Sequence, residues 1–176
     1  KAWGEDYKGI VEYRNNHVAT GVDAKTRTVK FETADDVKAD VLNFIPPQSA
    51  GDIARQAGVI TANNRWCEVD FLTFESVKVK NVHVLGDAIQ IAPAMPKSGH
   101  MANQHGKVAA AAIVAALTGQ PVSATPVVNN TCYSFITDKD VVHVASVHQY
   151  DKDKKTFIAV QGAGSMYQFT ATLDQG

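Results

Sequence analysis

The chain is poor in the features that would assign it quickly. It has only two cysteines, Cys67 and Cys132, in no CxxC arrangement, which excludes a disulfide-stapled scaffold. It has no long hydrophobic run: the longest, Val108 to Leu117, is alanine-rich and far too short to span a bilayer, so no membrane span is expected. It has no charge excess either. A net charge of -1 gives no cluster of cations able to release counterions from phosphates, and nucleic acid is not an expected partner. The six histidines, His17, His83, His100, His105, His143 and His148, form no HExxH, no Cys/His zinc spacing and no CxxCH haem site, and no metal site is expected. His100 and His105 would splay apart on a helix. There is no repeat, no low-complexity tract and no secretory pattern at Lys1-Ala2-Trp3-Gly4. What remains is a 176-residue chain, 45% hydrophobic and 20% charged, long enough for one sizeable core or two small ones.

Pattern and turn chemistry divide the chain. Ile10 to Tyr13, Val18 to Val22 and Thr28 to Glu32 are short β-branched or aromatic runs separated by Arg14-Asn15-Asn16 and Asp23-Ala24-Lys25, which predicts a β meander. Ala39 to Ile45 reads as a further strand that Pro46-Pro47 must end. Ser49 to Gly58 predicts a short helix capped by Ser49, stopped by Gly58 and burying Ile53 and Ala54. A loop through Asn63-Asn64-Arg65-Trp66-Cys67 follows. Asn81 to Ala88 is nearly continuously apolar and predicts a strand buried on both faces. Ser98 to Leu117 carries the strongest helical signal, with Ser98 as cap, Gly119 as stop and Pro121 beyond it. Its small residues, among them Ala102, Gly106, Ala109 and Ala112, permit close approach to a sheet or ligand. Tyr133 to Thr137, Val141 to His148 and Thr156 to Gln161 predict strands, the last two joined by the polar turn at Asp151 to Lys154. The charge-rich turns near residues 35 and 153 read as solvated. The fold class expected is α/β to α+β.

Chemistry concentrates where the Val82 to Leu85 run ends in Gly86-Asp87-Ala88. Ligands of open α/β sheets sit beyond the carboxyl ends of strands, and an acidic side chain there can accept from sugar or ribitol hydroxyls. The helix start at Lys97-Ser98-Gly99 offers amides, a positive dipole end and the full charge of Lys97, which suits an electron-rich ligand edge. Cys132, ahead of the Tyr133 to Thr137 run and read alone, is more often a small buried apolar residue than a redox group. Cys67 is a buried thiol or pairs outside this chain, and a Cys67–Cys132 disulfide is equally open on sequence grounds. Trp66 serves packing or contacts a ligand.

Three segments carry a family resemblance. Thr73 to Ala88, TFESVKVKNVHVLGDA, resembles the signature of two-dinucleotide-domain flavoproteins, in which the Gly-Asp-Ala aspartate binds the ribitol of FAD. Met95 to Ala109, MPKSGHMANQHGKVA, is similar to the helix that follows it in sulfide dehydrogenases and sulfide:quinone oxidoreductases; His100 stands where relatives often carry tyrosine. Asn130-Thr131-Cys132-Tyr133-Ser134 resembles the motif of the flavocytochrome c sulfide dehydrogenase branch. Phe44 to Gln48 and Trp66 to Ser76 extend the likeness over most of residues 1–150.

The resemblance implies an incomplete two-dinucleotide-domain flavoprotein fold. Residues 1–48 would end the second dinucleotide domain, 49–121 would form the C-terminal half of the FAD domain, and 122–176 part of a C-terminal flavin-binding or interface domain. It implies that Gly86, Asp87, Ala88, Lys97, Ser98 and Pro46 contact FAD, with Lys97 and the helix amides near the flavin N1 and C2 carbonyl. It implies that Cys132 is the catalytic half of a redox disulfide over the isoalloxazine. Sulfide would be oxidised, electrons would pass through the disulfide and FAD to a c-type cytochrome subunit, and the address would be periplasmic. No GxGxxG turn occurs, since Gln161-Gly162-Ala163-Gly164-Ser165-Met166 lacks the third glycine. The resemblance therefore implies that the pyrophosphate-binding half and the partner cysteine precede Lys1 and that further residues follow Gly176, leaving this portion inactive by itself. A quinone- or pyridine-nucleotide-linked flavoprotein and a non-catalytic interaction domain of the same fold are the alternatives; the Asn-Thr-Cys-Tyr-Ser motif and the lack of a hydrophobic C-terminal patch argue against quinone.

Overall fold

A computed structural model describes residues 3–170. The chain divides into two compact units, Lys1–Pro47 and Gln48–Gly176. The second contains both the 49–121 and the 122–176 segments of the sequence reading.

The first unit holds a three-stranded antiparallel sheet, β1 (Ala19–Asp23), β2 (Thr28–Phe31) and β3 (Val37–Lys38), in that spatial order. The β1–β2 turn is fixed by Asp23, whose Oδ1 accepts from the amides of Lys25 at 2.9 Å and Thr26 at 3.2 Å, the side chain imitating a backbone turn. Two expected strands are absent. Ile10 to Tyr13 is turn and irregular chain, and Ile10 is 80% exposed. Ala39 to Ile45 is irregular beyond β3, and Val41 is 86% exposed. β-branched residues favour a strand only where a neighbouring strand and a half-buried pleated face await them. Among the described residues of this unit Val29 alone is buried, so neither condition is met.

In the second unit the first helix, α1 (Asp52–Gln56), is shorter than expected. Its N-cap is Gly51, not Ser49, and no side chain caps it. Ala54 is buried but Ile53 is 76% exposed, because a five-residue helix presents only a narrow inward stripe. Residues 59–98 are held by isolated bridges, Ala62↔Trp66, Cys67↔Ile89, Val69↔Ser76 and Glu75↔His83. The expected doubly buried strand at Asn81 to Ala88 is thereby corrected: His83 makes one bridge, and Gly86–Ala88 is a single 3₁₀ turn. An apolar run needs a continuous ladder partner to become a strand. Among the described residues this one is offered only bridges.

The helix α2 (Gly99–Thr118) follows its sequence signals closely. Ser98 Oγ accepts from the Met101 amide, and Gly119 closes the helix in the left-handed region at φ 68°. Its buried stripe is Met101, His105, Ala109 and Ala112. Four antiparallel strands complete the unit: β4 (Val127–Phe135), β5 (Asp140–Asp151), β6 (Thr156–Ala159) and β7 (Ser165–Thr170). β5 is central, pairing along one edge with β4 and along the other with β7 at its start and β6 at its end. The β5–β6 turn is tied by Asp151 Oδ1, which accepts from the amides of Asp153 and Lys154. The main core joins Met101 and Ala109 of α2 to Val128 of β4, with Phe74, Ile89, Met95 and Phe157. Phe74 and Phe157 are completely buried, roughly 1.5–3 kcal/mol each in transfer terms. Ala50, Ala54, Val59 and Cys67 form a smaller second cluster. Among the described residues no helix is long and apolar enough to cross a membrane.

Candidate functional site

The site begins with a glycine. Gly86 has φ 67°, and a Cβ there would lie 3.1 Å from the Cβ of Ala102 on α2. The turn therefore needs glycine both for its backbone conformation and for its close seat on the helix. The Gly86 amide donates to Nδ1 of His105, one helical turn further along, at 3.2 Å. Pinned in this way, the turn leaves Gly86 buried and turns Asp87 out into solvent.

Lys97 closes the turn from the other side. Its Nζ donates to the backbone carbonyl of Asp87 at 2.5 Å and to that of Ile89 at 2.9 Å, and it stands 3.7 Å from the centre of the Trp66 ring. Partial burial pushes the Lys97 ammonium below the usual lysine range, and the Asp87 carboxylate opposes that shift. An ammonium has three N–H donors, and two carbonyls and the indole face take up these directions, so its charge, rather than a spare donor, is what it presents to the cleft. Arg65 stands on the same indole at 5.2 Å and anchors the Gln48 carbonyl through Nε at 2.9 Å and through Nη2. These groups surround a cleft of about 310 Å³ lined by Gln48 to Gly51, Trp66, Asp87, Ala88 and Lys97.

The neighbouring residue faces elsewhere. Ser98 accepts from Met101 and donates to Oδ1 of Asn130 on β4 at 2.5 Å, which fixes the amide so that Nδ2 donates to Sγ of Cys132 at 3.3 Å. Asn130 is buried and Cys132 half-buried. Cys132 lies within β4, opposite Val144, and not ahead of the strand as expected. His100, exposed, pairs through Nε2 with Asn129 Oδ1 at 2.9 Å. Both cysteines are free thiols. Cys67 is wholly buried in the smaller cluster, where desolvation pushes its thiol up against the opposing pull of Lys97.

Of the residues singled out in the sequence, Asp87, Ala88 and Lys97 thus line one cleft, with Gly86 beneath them. Ser98 and Cys132 are joined through Asn130. Pro46 belongs to the first unit. Sequence reasoning assigned no role to Asn130 or His105 and left Trp66 open between packing and ligand contact. The signal that could have found His105 was its place in the apolar stripe of α2; Gln48 to Gly51 read only as a family-like segment and a helix cap, not as a wall of the cleft.

The donor set suits part of a flavin nucleotide: an exposed carboxylate to accept from hydroxyls, a cation for an electron-rich edge, and an indole for an apolar face. Comparison with known families points the same way. The family described as flavocytochrome c sulphide dehydrogenase, flavin-binding, matches residues 124–175, and that described as sulfide dehydrogenase [flavocytochrome c] flavoprotein chain, central, matches residues 1–46. Both define a flavin-dependent oxidoreductase subunit. With the two matches spanning more than half of it, the chain belongs to the flavocytochrome c sulphide dehydrogenase flavoprotein family, and its cofactor is a flavin, FAD. Asn130 and Cys132 fall inside the flavin-binding match, whereas Gly86 to Ala88, Lys97 and Ser98 lie between the two.

Proposed function

We propose that the chain is part of a periplasmic sulfide dehydrogenase in which Asp87 and Lys97 hold FAD, Cys132 is half of a redox disulfide, and a c-type cytochrome takes the electrons. The observation that carries this reading is the double use of one helix start. Lys97 serves the cleft, and the next residue, Ser98, is tied through Asn130 to the Cys132 sulfur.

In this reading Asp87 accepts from ribitol hydroxyls and Lys97 places positive charge by the electron-rich edge of the ring system. Bound FAD would supply the two-electron acceptor. At the thiol, HS⁻ attacks one sulfur of the disulfide; a new S–S bond forms as a persulfide, the old S–S bond breaks, and the other cysteine leaves as a thiolate. Overall HS⁻ becomes sulfur at oxidation state zero, one proton and two electrons, which bound FAD and then a c-type cytochrome would accept. Asn130 donates to the sulfur of Cys132 and so holds it in one position between attacks.

The test is Cys132→Ser in the complete flavin-loaded subunit. Sulfide-dependent reduction of a c-type cytochrome is expected to fall to background while the flavin absorbance of the purified protein stays unchanged. Undiminished reduction, or loss of the flavin itself, contradicts the redox role.

A further inference from the structure

We propose that His105 is a positioning residue of the flavin site, whose Nδ1 holds the Gly86 amide and so sets the turn that carries Asp87. The inference rests on the reading of Asp87 as a flavin contact and adds a residue to it that touches no ligand.

His105 sits in the buried stripe of α2 between Met101 and Ala109 and is 1% exposed. A polar ring there is unexpected on packing grounds alone, because leucine would fill an apolar stripe with no polar group to satisfy. The imidazole also carries an unmet demand. Since Nδ1 accepts from Gly86, the hydrogen resides on Nε2, and Nε2 has no hydrogen-bond partner among the described residues. What the ring supplies in exchange is an acceptor for a buried amide of the turn that no leucine could satisfy. Among the described hydrogen bonds, His105 is the acceptor for that amide.

The ring is held in place to do this. It stacks on Phe74 with centroids 4.6 Å apart and planes at 30°, and Phe74 is itself fully buried and locked at φ 57°. Burial also keeps the imidazole neutral: its pKa is pushed down to about 4, chiefly by desolvation, with the Asp87 charge pulling up and the Lys97 charge pushing down. A neutral ring is the form that can accept at Nδ1. The turn is thus pinned to two residues on one face of α2: Ala102 by contact with Gly86, His105 by hydrogen bond. Without the acceptor the Gly86 N–H would be buried and unpaired, and the turn would have to rotate to find a partner, carrying Asp87 with it.

The test compares His105→Leu, which removes the acceptor, with His105→Asn, whose Oδ1 occupies the place of Nδ1. Both lose the stack on Phe74, so their difference isolates the hydrogen bond. In the complete subunit, stripped of flavin and titrated with FAD, His105→Leu is expected to raise Kd roughly tenfold or more, and His105→Asn to stay within about threefold of the parent. If His105→Leu does not fold, His105→Met takes its place with the same expectation. Equal Kd for the Leu (or Met) and Asn variants overturns the inference. Asp87→Ala is titrated alongside: weaker binding there with unchanged binding in His105→Leu overturns the His105 inference alone, while unchanged binding in both overturns the flavin-site reading with it.

Discussion

Two walls meet at the start of α2, and they are built by different means. The cleft wall is turns and isolated bridges, residues 48–51, 65–66 and 86–89, where single backbone bonds such as Ala50 N–H to the Arg65 carbonyl are supplemented by a lysine reaching two carbonyls, an arginine reaching a third, and a histidine accepting one amide. The β4 wall is a nine-residue ladder paired with β5 along its whole length, in which Asn130 and Cys132 ride on backbone bonds that any side chain could make. Where the backbone pairs with itself, side chains are free to do chemistry. Where it pairs only at single bridges, side chains help to hold it, and a residue such as Lys97 must do both.

That contrast predicts that the cleft wall is far more sensitive to side-chain loss. Lys97→Met removes two charge-assisted hydrogen bonds and the contact with Trp66, and is expected to lower unfolding free energy by about 3 kcal/mol in urea titrations; a loss below about 1 kcal/mol would show that the loop holds itself.

Acid should act on the same wall. The folded pKa of His105 is about 4 against 6.5 for the free side chain. Above pH 6.5 neither state is protonated and nothing changes; between 6.5 and about 4 the unfolded chain binds a proton that the native one refuses, so stability falls as pH falls. The His105 share is about 2 kcal/mol after allowance for solvent screening. His148, also lowered by burial, acts in the same sense, so the measurement is the difference between the parent and His105→Asn in urea titrations at pH 7 and 4.5. The variant should lose less, and parallel losses would contradict the assignment.

Smaller effects are expected on the β4 side. Ser98→Ala should cost about 1 kcal/mol as the loss of a helix cap, read from the thermal midpoint. Cys132→Ser should change stability by less than about 0.5 kcal/mol, since the ladder holds the residue whatever its side chain. A larger change there would make Cys132 a packing residue.

How much of this was legible beforehand follows the same division. α2 was readable end to end because its signals are local: a serine cap, a glycine stop and a proline beyond. β4 was found only from Tyr133 onward, because Asn129 and Asn130 lower the β-propensity of its first half, and β7 was missed behind the Gly162 to Gly164 turn. The strands expected at Ile10 to Tyr13, Ala39 to Ile45 and Asn81 to Ala88 were composition without a continuous ladder partner, the last finding only single bridges. In the site, Asp87 and Lys97 could be singled out because each stands beside a turn or cap that the sequence announces. The sequence leaves Trp66 open between packing and ligand contact, and nothing local shows that it and Gln48 to Gly51, from distant chain, would line the same cleft. The sequence places His105 only as splayed from His100 on α2, and no local signal could show that its ring would meet Gly86.

The central claim, that the Asp87 and Lys97 cleft holds the flavin, is tested most directly by FAD titration of the complete subunit with Asp87 replaced. Asp87→Ala is expected to raise Kd about tenfold or more, with Asp87→Asn between it and the parent because the amide oxygen still accepts. Three equal dissociation constants would place the flavin somewhere other than this cleft.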